Sequence, residues 1–284
     1  MPVQESKART MAVATHATGL ASDSNPPRRS GMGKTTEEAL SKVPELTLIF
    51  WIIKIAATTL GETGGDAVSM SMHLGYLVGT AIFAVIFLVA VVIQIRAKAF
   101  HSFIYWTTIV ATTTVGTTLA DFADRSLGIG YAGGSSLLFI LLMASLASWY
   151  WLLGSVSVSS VSSPKAEGFY WLTIMFSQTL GTALGDWTAD TAGLGYSGGA
   201  VIFTLLLGLV VAAYFWTRIS RVTLFWAAFI LTRPLGAVVG DFLDKPVSAG
   251  GLELSRYSAS AALIIFMIAC LLLFTQRAAK SSGH

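Results

Sequence analysis

Four aspartates, Asp66, Asp121, Asp186 and Asp241, recur in a chain in which only 12% of residues are charged and 54% are hydrophobic. Each stands fifteen residues after a tryptophan: Trp51, Trp106, Trp171 and Trp226. Each tryptophan follows another aromatic residue (Phe50, Tyr105, Tyr170, Phe225) and precedes a glycine by ten residues (Gly61, Gly116, Gly181, Gly236). Positions seven, eleven and fifteen after the tryptophan lie four apart, so on a helix they share one face. The stripe reads Thr58/Glu62/Asp66, Thr113/Thr117/Asp121, Gln178/Thr182/Asp186 and Arg233/Ala237/Asp241. Carboxylates backed by hydroxyl and amide oxygens are ligands for hard cations such as Mg²⁺, Mn²⁺ and Ca²⁺. No histidine or cysteine recurs in the motif, which argues against zinc or copper. His73 and His101 fall near expected loop ends and read as interfacial, and the sole cysteine, Cys270, leaves no disulfide framework.

The repeats are not equivalent in charge. Repeat one alone carries Lys54 and Glu62; repeat four alone carries Arg233, followed by Pro234, which favours a kinked or opened helix. Ionisable residues inside apolar spans are functional-site hypotheses by default. Arg233 or Lys54 is expected to pair with Glu62, either as a static register-fixing pair or as one displaced when substrate enters. A second acidic set, Asp124, Asp190 and Asp244, lies three or four residues beyond the first. The expected ion-binding or metal-ligating set is Glu62, Asp66, Asp121, Asp186 and Asp241, with Thr58, Thr117, Gln178 and Thr182 beside it. Two plainer readings stand alongside: threonine and glycine allow close helix packing, and the aspartates cap helix ends in a hydrated loop.

The elements that position these residues follow from composition. Soluble domains carry about 25% charged residues; this 284-residue chain carries half that, with a mean hydropathy of +0.69 and a net charge of only +3. The composition excludes a conventional soluble domain, a disordered protein and a nucleic-acid binder. Stretches of about 20 apolar residues suit a bilayer, and eight occur: 46–66, 72–95, 102–124, 131–153, 168–190, 196–217, 221–243 and 256–275. They make four pairs, about 45–96, 100–154, 165–218 and 220–275. With two spans per repeat, the copies enter a membrane in the same direction, as parallel repeats about an axis along its normal. The expected fold is an all-α integral membrane protein of eight transmembrane helices, arranged pseudo-fourfold around a central polar cavity. Residues 1–44 read as a flexible cytoplasmic tail and 276–284 as a second one. Arg96, Lys98, Lys165, Arg218 and Arg221 lie between repeats, so the positive-inside rule places both termini in the cytoplasm of a bacterial inner membrane.

The segments TTLGETGGD, TTVGTTLADFAD, QTLGTALGDWTAD and RPLGAVVGDFLDK carry a family resemblance. The sequence resembles a bacterial family of multi-pass membrane proteins built from four tandem two-helix repeats, each with a characteristic tryptophan and of unknown function. The resemblance covers about residues 45–275 and implies the architecture, but no settled activity. Glu62 to Ser69 also loosely resembles the acidic Glu-x-Gly-Asp-Lys/Arg-Ser/Thr motif of a manganese/calcium transporter family, with one extra glycine and Ala67-Val68 in place of the basic residue. Intramembrane aspartyl proteases need a glycine three residues before the aspartate; Thr63, Thr118, Ala183 and Val238 stand there. Lys54 could hold a retinal Schiff base, but it lies in the first span. The expectation is therefore no enzyme and no resident cofactor. It is a transporter of a small cation, manganese foremost and exchanged for protons, with the lipid bilayer as its surroundings. The alternatives are a non-transporting scaffold, or a carrier of a small anion or organic solute.

Overall fold

The structure, a computed structural model, describes residues 41–279. The first 40 residues of the expected tail, and residues 280–284, lie outside the described residues. Eight α-helices run in sequence: α1 (Leu48–Asp66), α2 (Gly75–Arg96), α3 (Ser102–Asp121), α4 (Tyr131–Leu153), α5 (Pro164–Asp186), α6 (Gly195–Trp216), α7 (Arg221–Asp244) and α8 (Arg256–Leu273). No strand occurs among the described residues. Local chemistry sets the ends: the Thr47 side chain accepts from the amide of Phe50 at the start of α1, and Ser163 caps α5 ahead of Pro164. In the first three repeats the odd helix runs past its aspartate into one π-helical turn, Ala67–Ser71, Phe122–Ser126 and Trp187–Thr191. Gly75, Gly130, Gly195 and Gly250 then reverse the chain. All four stand twenty-four residues after their tryptophan, with φ between +65° and +86°, a region open to glycine at no steric cost.

The odd helices form a closed inner ring: α1 packs on α3, α3 on α5, α5 on α7, and α7 back on α1. Each even helix passes over its own partner and packs on the inner helix of the next repeat: α2 on α3, α4 on α5, α6 on α7, and α8 on α1. The glycines explain how the inner helices approach so closely. A Cβ on Gly61 would collide with Thr113, one on Gly181 with Arg233, and one on Gly236 with Thr58; on Gly116 it would sit 3.0 Å from Gln178. In every case the tenth residue after one tryptophan receives the seventh residue after the next. Beneath this layer, eight aromatic side chains close a belt. Phe50 meets Trp106 at 5.4 Å, Tyr105 meets Trp171 at 5.7 Å, Tyr170 meets Trp226 at 6.3 Å, and Phe225 meets Trp51 at 5.9 Å. Within each repeat the neighbouring pair is edge to face or nearly so, at 5.1–5.4 Å, a favoured aromatic geometry.

Five helices, α2, α4, α6, α7 and α8, are long and apolar enough to cross a membrane. Four of these form the outer shell and expose leucine, valine and isoleucine. α1, α3 and α5 carry the threonines, glycines and acids that face the ring, which lowers their mean hydropathy. Residues 41–44 differ from the expected tail. Ser41 and Val43 are buried, Lys42 pairs with Glu167 at 2.7 Å, and the Ser41 hydroxyl donates to the Val158 carbonyl at 2.6 Å. The segment also pairs with the C-terminal stretch: the Glu45 amide donates to the Arg277 carbonyl, and the Ala279 amide to that of Val43.

Candidate functional site

The site is built on the ring axis, layer by layer. Arg233 comes from α7 and is wholly buried. Its aliphatic stem rests where Gly181 leaves room, and its guanidinium reaches across the ring. Nη2 donates to Glu62 Oε2 of α1 at 2.9 Å and to Thr117 Oγ1 of α3 at 2.6 Å, and it also meets Thr182 Oγ1 of α5. One guanidinium thus gathers the stripe residues of all four repeats. The expected central polar cavity is crossed at this level by an arginine. Two grooves, of about 670 and 420 Å³, open on the flanks instead. One is lined by Trp51, Ile55, Leu207 and Tyr214, the other by Leu60, Phe83, Trp106 and Met267.

Glu62 lies against Gly240, which gives it space on α7. Its partner is Arg233 rather than Lys54, whose ammonium sits 4.2 Å above the Phe229 ring. The threonines divide by role. Thr59, Thr114 and Thr179 return their hydroxyls to their own helix, which satisfies a buried polar group and turns the methyl outward for packing. Thr117 and Thr182 serve the guanidinium. Thr58 donates to backbone carbonyls, among them Thr232 across the α1–α7 contact.

One turn further on, the four ring aspartates are all buried. Two cations staple them in pairs. Arg125 stands 2.8 Å from Asp121 of its own repeat and 3.4 Å from Asp186 of the next. Lys245 stands 3.0 Å from Asp241 and 2.6 Å from Asp66. Both occupy the nineteenth position after their tryptophan, where repeats one and three have Met70 and Asp190. The fourfold ring therefore carries a twofold pattern of charge. Burial opposes charge on Lys245, but Asp241, Asp66 and Asp244 outweigh it and hold its pKa above the ordinary lysine value. The same balance, with Asp121 and Asp186 as the carboxylates, raises that of Arg125. Oxygens of Glu62, Asp66 and Asp121 lie within 4.8 Å of one another, as do those of Asp66, Asp241 and Asp244. Oxygens at 2.0–2.6 Å from a common cation can span such a distance.

A family model described as a Repeat of Unknown Function (DUF347) matches the chain four times, over residues 49–100, 104–154, 169–220 and 224–279. The chain belongs to the DUF347 repeat family. No curated protein and no solved structure matches it significantly. The four DUF347 matches each begin two residues before a tryptophan of the motif.

The remaining expected residues scatter. Asp190 is exposed, Asp244 pairs with Arg256 at 2.6 Å, and Asp124 lies buried against Gly134. The second acidic set does not converge as a ring. Gln178 and Thr113 are wholly buried at the Arg233 level. Sequence reasoning missed Arg125 and Lys245. Their signal was present: each stands four residues after a ring aspartate, the spacing at which helical side chains meet.

Proposed function

We propose that this protein spans a membrane with all eight helices and carries a small cation along the ring axis, in exchange for protons. The observation that carries this reading is the convergence of Glu62, Asp66 and Asp121, from two neighbouring inner helices, to within 4.8 Å, directly beside the Arg233 guanidinium. The carboxylate set is one that a divalent ion such as Mn²⁺ can use. Arg233 supplies the cation that balances Glu62; an arriving ion takes over that role, and the guanidinium turns toward Thr117 and Thr182. Metal ligands must be deprotonated, so ion and proton compete for the Glu62 carboxylate: the ion crosses with Glu62 ionised, and on the return Glu62, parted from Arg233, carries a proton in its place, which couples the two movements. The loose likeness of residues 62–69 to a manganese/calcium transporter motif supports manganese among the divalent ions. No residue is assigned a catalytic role.

A non-transporting membrane scaffold is favoured by one observation: Arg125 and Lys245 already pair with all four ring aspartates.

Reconstitution into liposomes separates the two. With Mn²⁺ outside, the transport reading expects saturable Mn²⁺ entry with proton exit. Glu62→Gln keeps the shape, removes the charge, and should reduce coupled proton movement at least tenfold. Glu62→Asp should restore part of it. Liposomes that show no entry above protein-free controls, or Glu62→Gln liposomes that behave as wild type, would end the proposal.

A further inference from the structure

The level below the Glu62–Arg233 pair holds more hydrogen-bond donors than it uses. Lys54 of α1 is wholly buried, and its Nζ has no hydrogen-bond partner. The Thr113 hydroxyl of α3, both amide atoms of Gln178 of α5, and Nε of Arg233 of α7 are also buried without partners. Each of the four inner helices contributes one of these side chains. Lys54 stands three residues after its tryptophan and the other three stand seven after theirs, so they occupy adjacent layers. All four lie between the inner helices: the Lys54 ammonium lies over the Phe229 ring of α7, and Thr113, Gln178 and Arg233 each lie against the packing glycine of the preceding repeat.

The chemistry of these groups is one-sided. An ammonium brings three N–H donors, a primary amide two, and guanidinium Nε and a hydroxyl one each; the acceptors are one amide oxygen and the hydroxyl. Charge is one-sided too. Lys54 and Arg233 are two buried basic side chains, and Glu62 is the carboxylate that pairs with Arg233. Buried donors are nearly always satisfied in native proteins, and a buried charge needs a counter-charge. A ligand that answers both demands accepts hydrogen bonds, donates none, and carries a single negative charge.

We propose that Lys54, Thr113, Gln178 and Arg233 form a binding site for a small monovalent anion of halide size. The cation site and the anion site then share Arg233, which has Nη2 on Glu62 and Nε on the anion layer. The proposal does not depend on transport, because binding alone tests it.

The test is thermal unfolding of the purified full-length protein in detergent, in sodium chloride against sodium gluconate at equal ionic strength. At ten times its Kd, chloride should raise the midpoint by roughly 3 °C, saturably, with bromide competing. Lys54→Met should abolish the rise, and Asp190→Asn, at an exposed position, should keep it. Gln178→Glu is nearly isosteric and places a negative charge in the layer; it should also abolish the rise, and it carries the test if Lys54→Met does not fold. Equal midpoints in chloride and gluconate would overturn the proposal. So would a chloride effect that survives Gln178→Glu, since the anion would then be acting elsewhere.

Discussion

A single side chain in this protein often serves two repeats. Lys245 shows this most plainly, because its ammonium holds Asp241 of its own repeat and Asp66 of the next around the ring. Its pKa is held above the ordinary lysine value of 10.5, so the stability it gives is fully present below that pH. That stability is lost only as pH rises through the still higher folded value. Lys245→Met leaves buried Asp241 without a cation and Asp66 with Arg256 alone, 3.7 Å away, at a cost of about 3 kcal/mol. Lys245→Arg keeps the charge and should recover most of that loss. Thermal unfolding of both variants in detergent measures it; equal losses in the two would show that the staple is not electrostatic. Sequence spacing revealed the aspartates because they recur four times, but the cations recur only twice. A lone basic residue in an expected loop is indistinguishable from a solvated charge until the neighbouring helix is in place. Arg233 was legible as an intramembrane charge, and whether it or Lys54 pairs with Glu62 was left open by the sequence.

Helices here are legible in number and register, and illegible in partnership. Eight apolar stretches gave eight helices, and the tryptophan, glycine and aspartate positions gave the common face. The glycine that reverses the chain, at 75, 130, 195 and 250, stood in the same register and was equally available. What periodicity cannot say is which helix an outer helix packs against, since a two-helix hairpin and a handover to the next repeat have the same hydrophobic pattern. The glycines of α1 test the close packing of the inner ring. A Cβ at position 61 meets Thr113 with no room, whereas Gly64 has nothing within 4 Å. Gly61→Ala should therefore destabilise by about 1–3 kcal/mol, as overpacking does. Gly64→Ala should be neutral or stabilising by up to about 1 kcal/mol, because alanine is the better helix former. Unfolding midpoints of the two variants, three residues apart on one helix, check this directly. A loss of stability at Gly64→Ala as large as at Gly61→Ala would mean that the packing has been misassigned.

At the scale of the whole molecule, an apolar outer shell surrounds an inner ring whose polar side chains meet on the axis, and both ends of the described chain come together. Backbone pairing of residues 43–45 with 277–279 puts them at the same end, where the aromatic belt also lies. On the proposed membrane-spanning reading, the basic residues between repeats assign that end to the cytoplasm by the positive-inside rule. Reporter fusions at residues 41 and 279 should both report a cytoplasmic location, and a split result would be incompatible with the pairing. The α8–α1 contact has a further consequence. Because it repeats the handover made by α2, α4 and α6, no repeat is structurally first. Every repeat contributes two helices, so starting the chain at another repeat leaves each helix inserting in its original direction. A circular permutant that joins residue 279 to residue 41 by a short linker and opens between α2 and α3 should rebuild the same ring. Its unfolding midpoint should fall within a few degrees of the parent's. If it aggregates while the uncut chain carrying the same linker residues folds, the natural starting point matters after all, and the ring closes in an obligatory order during synthesis rather than as a free cycle.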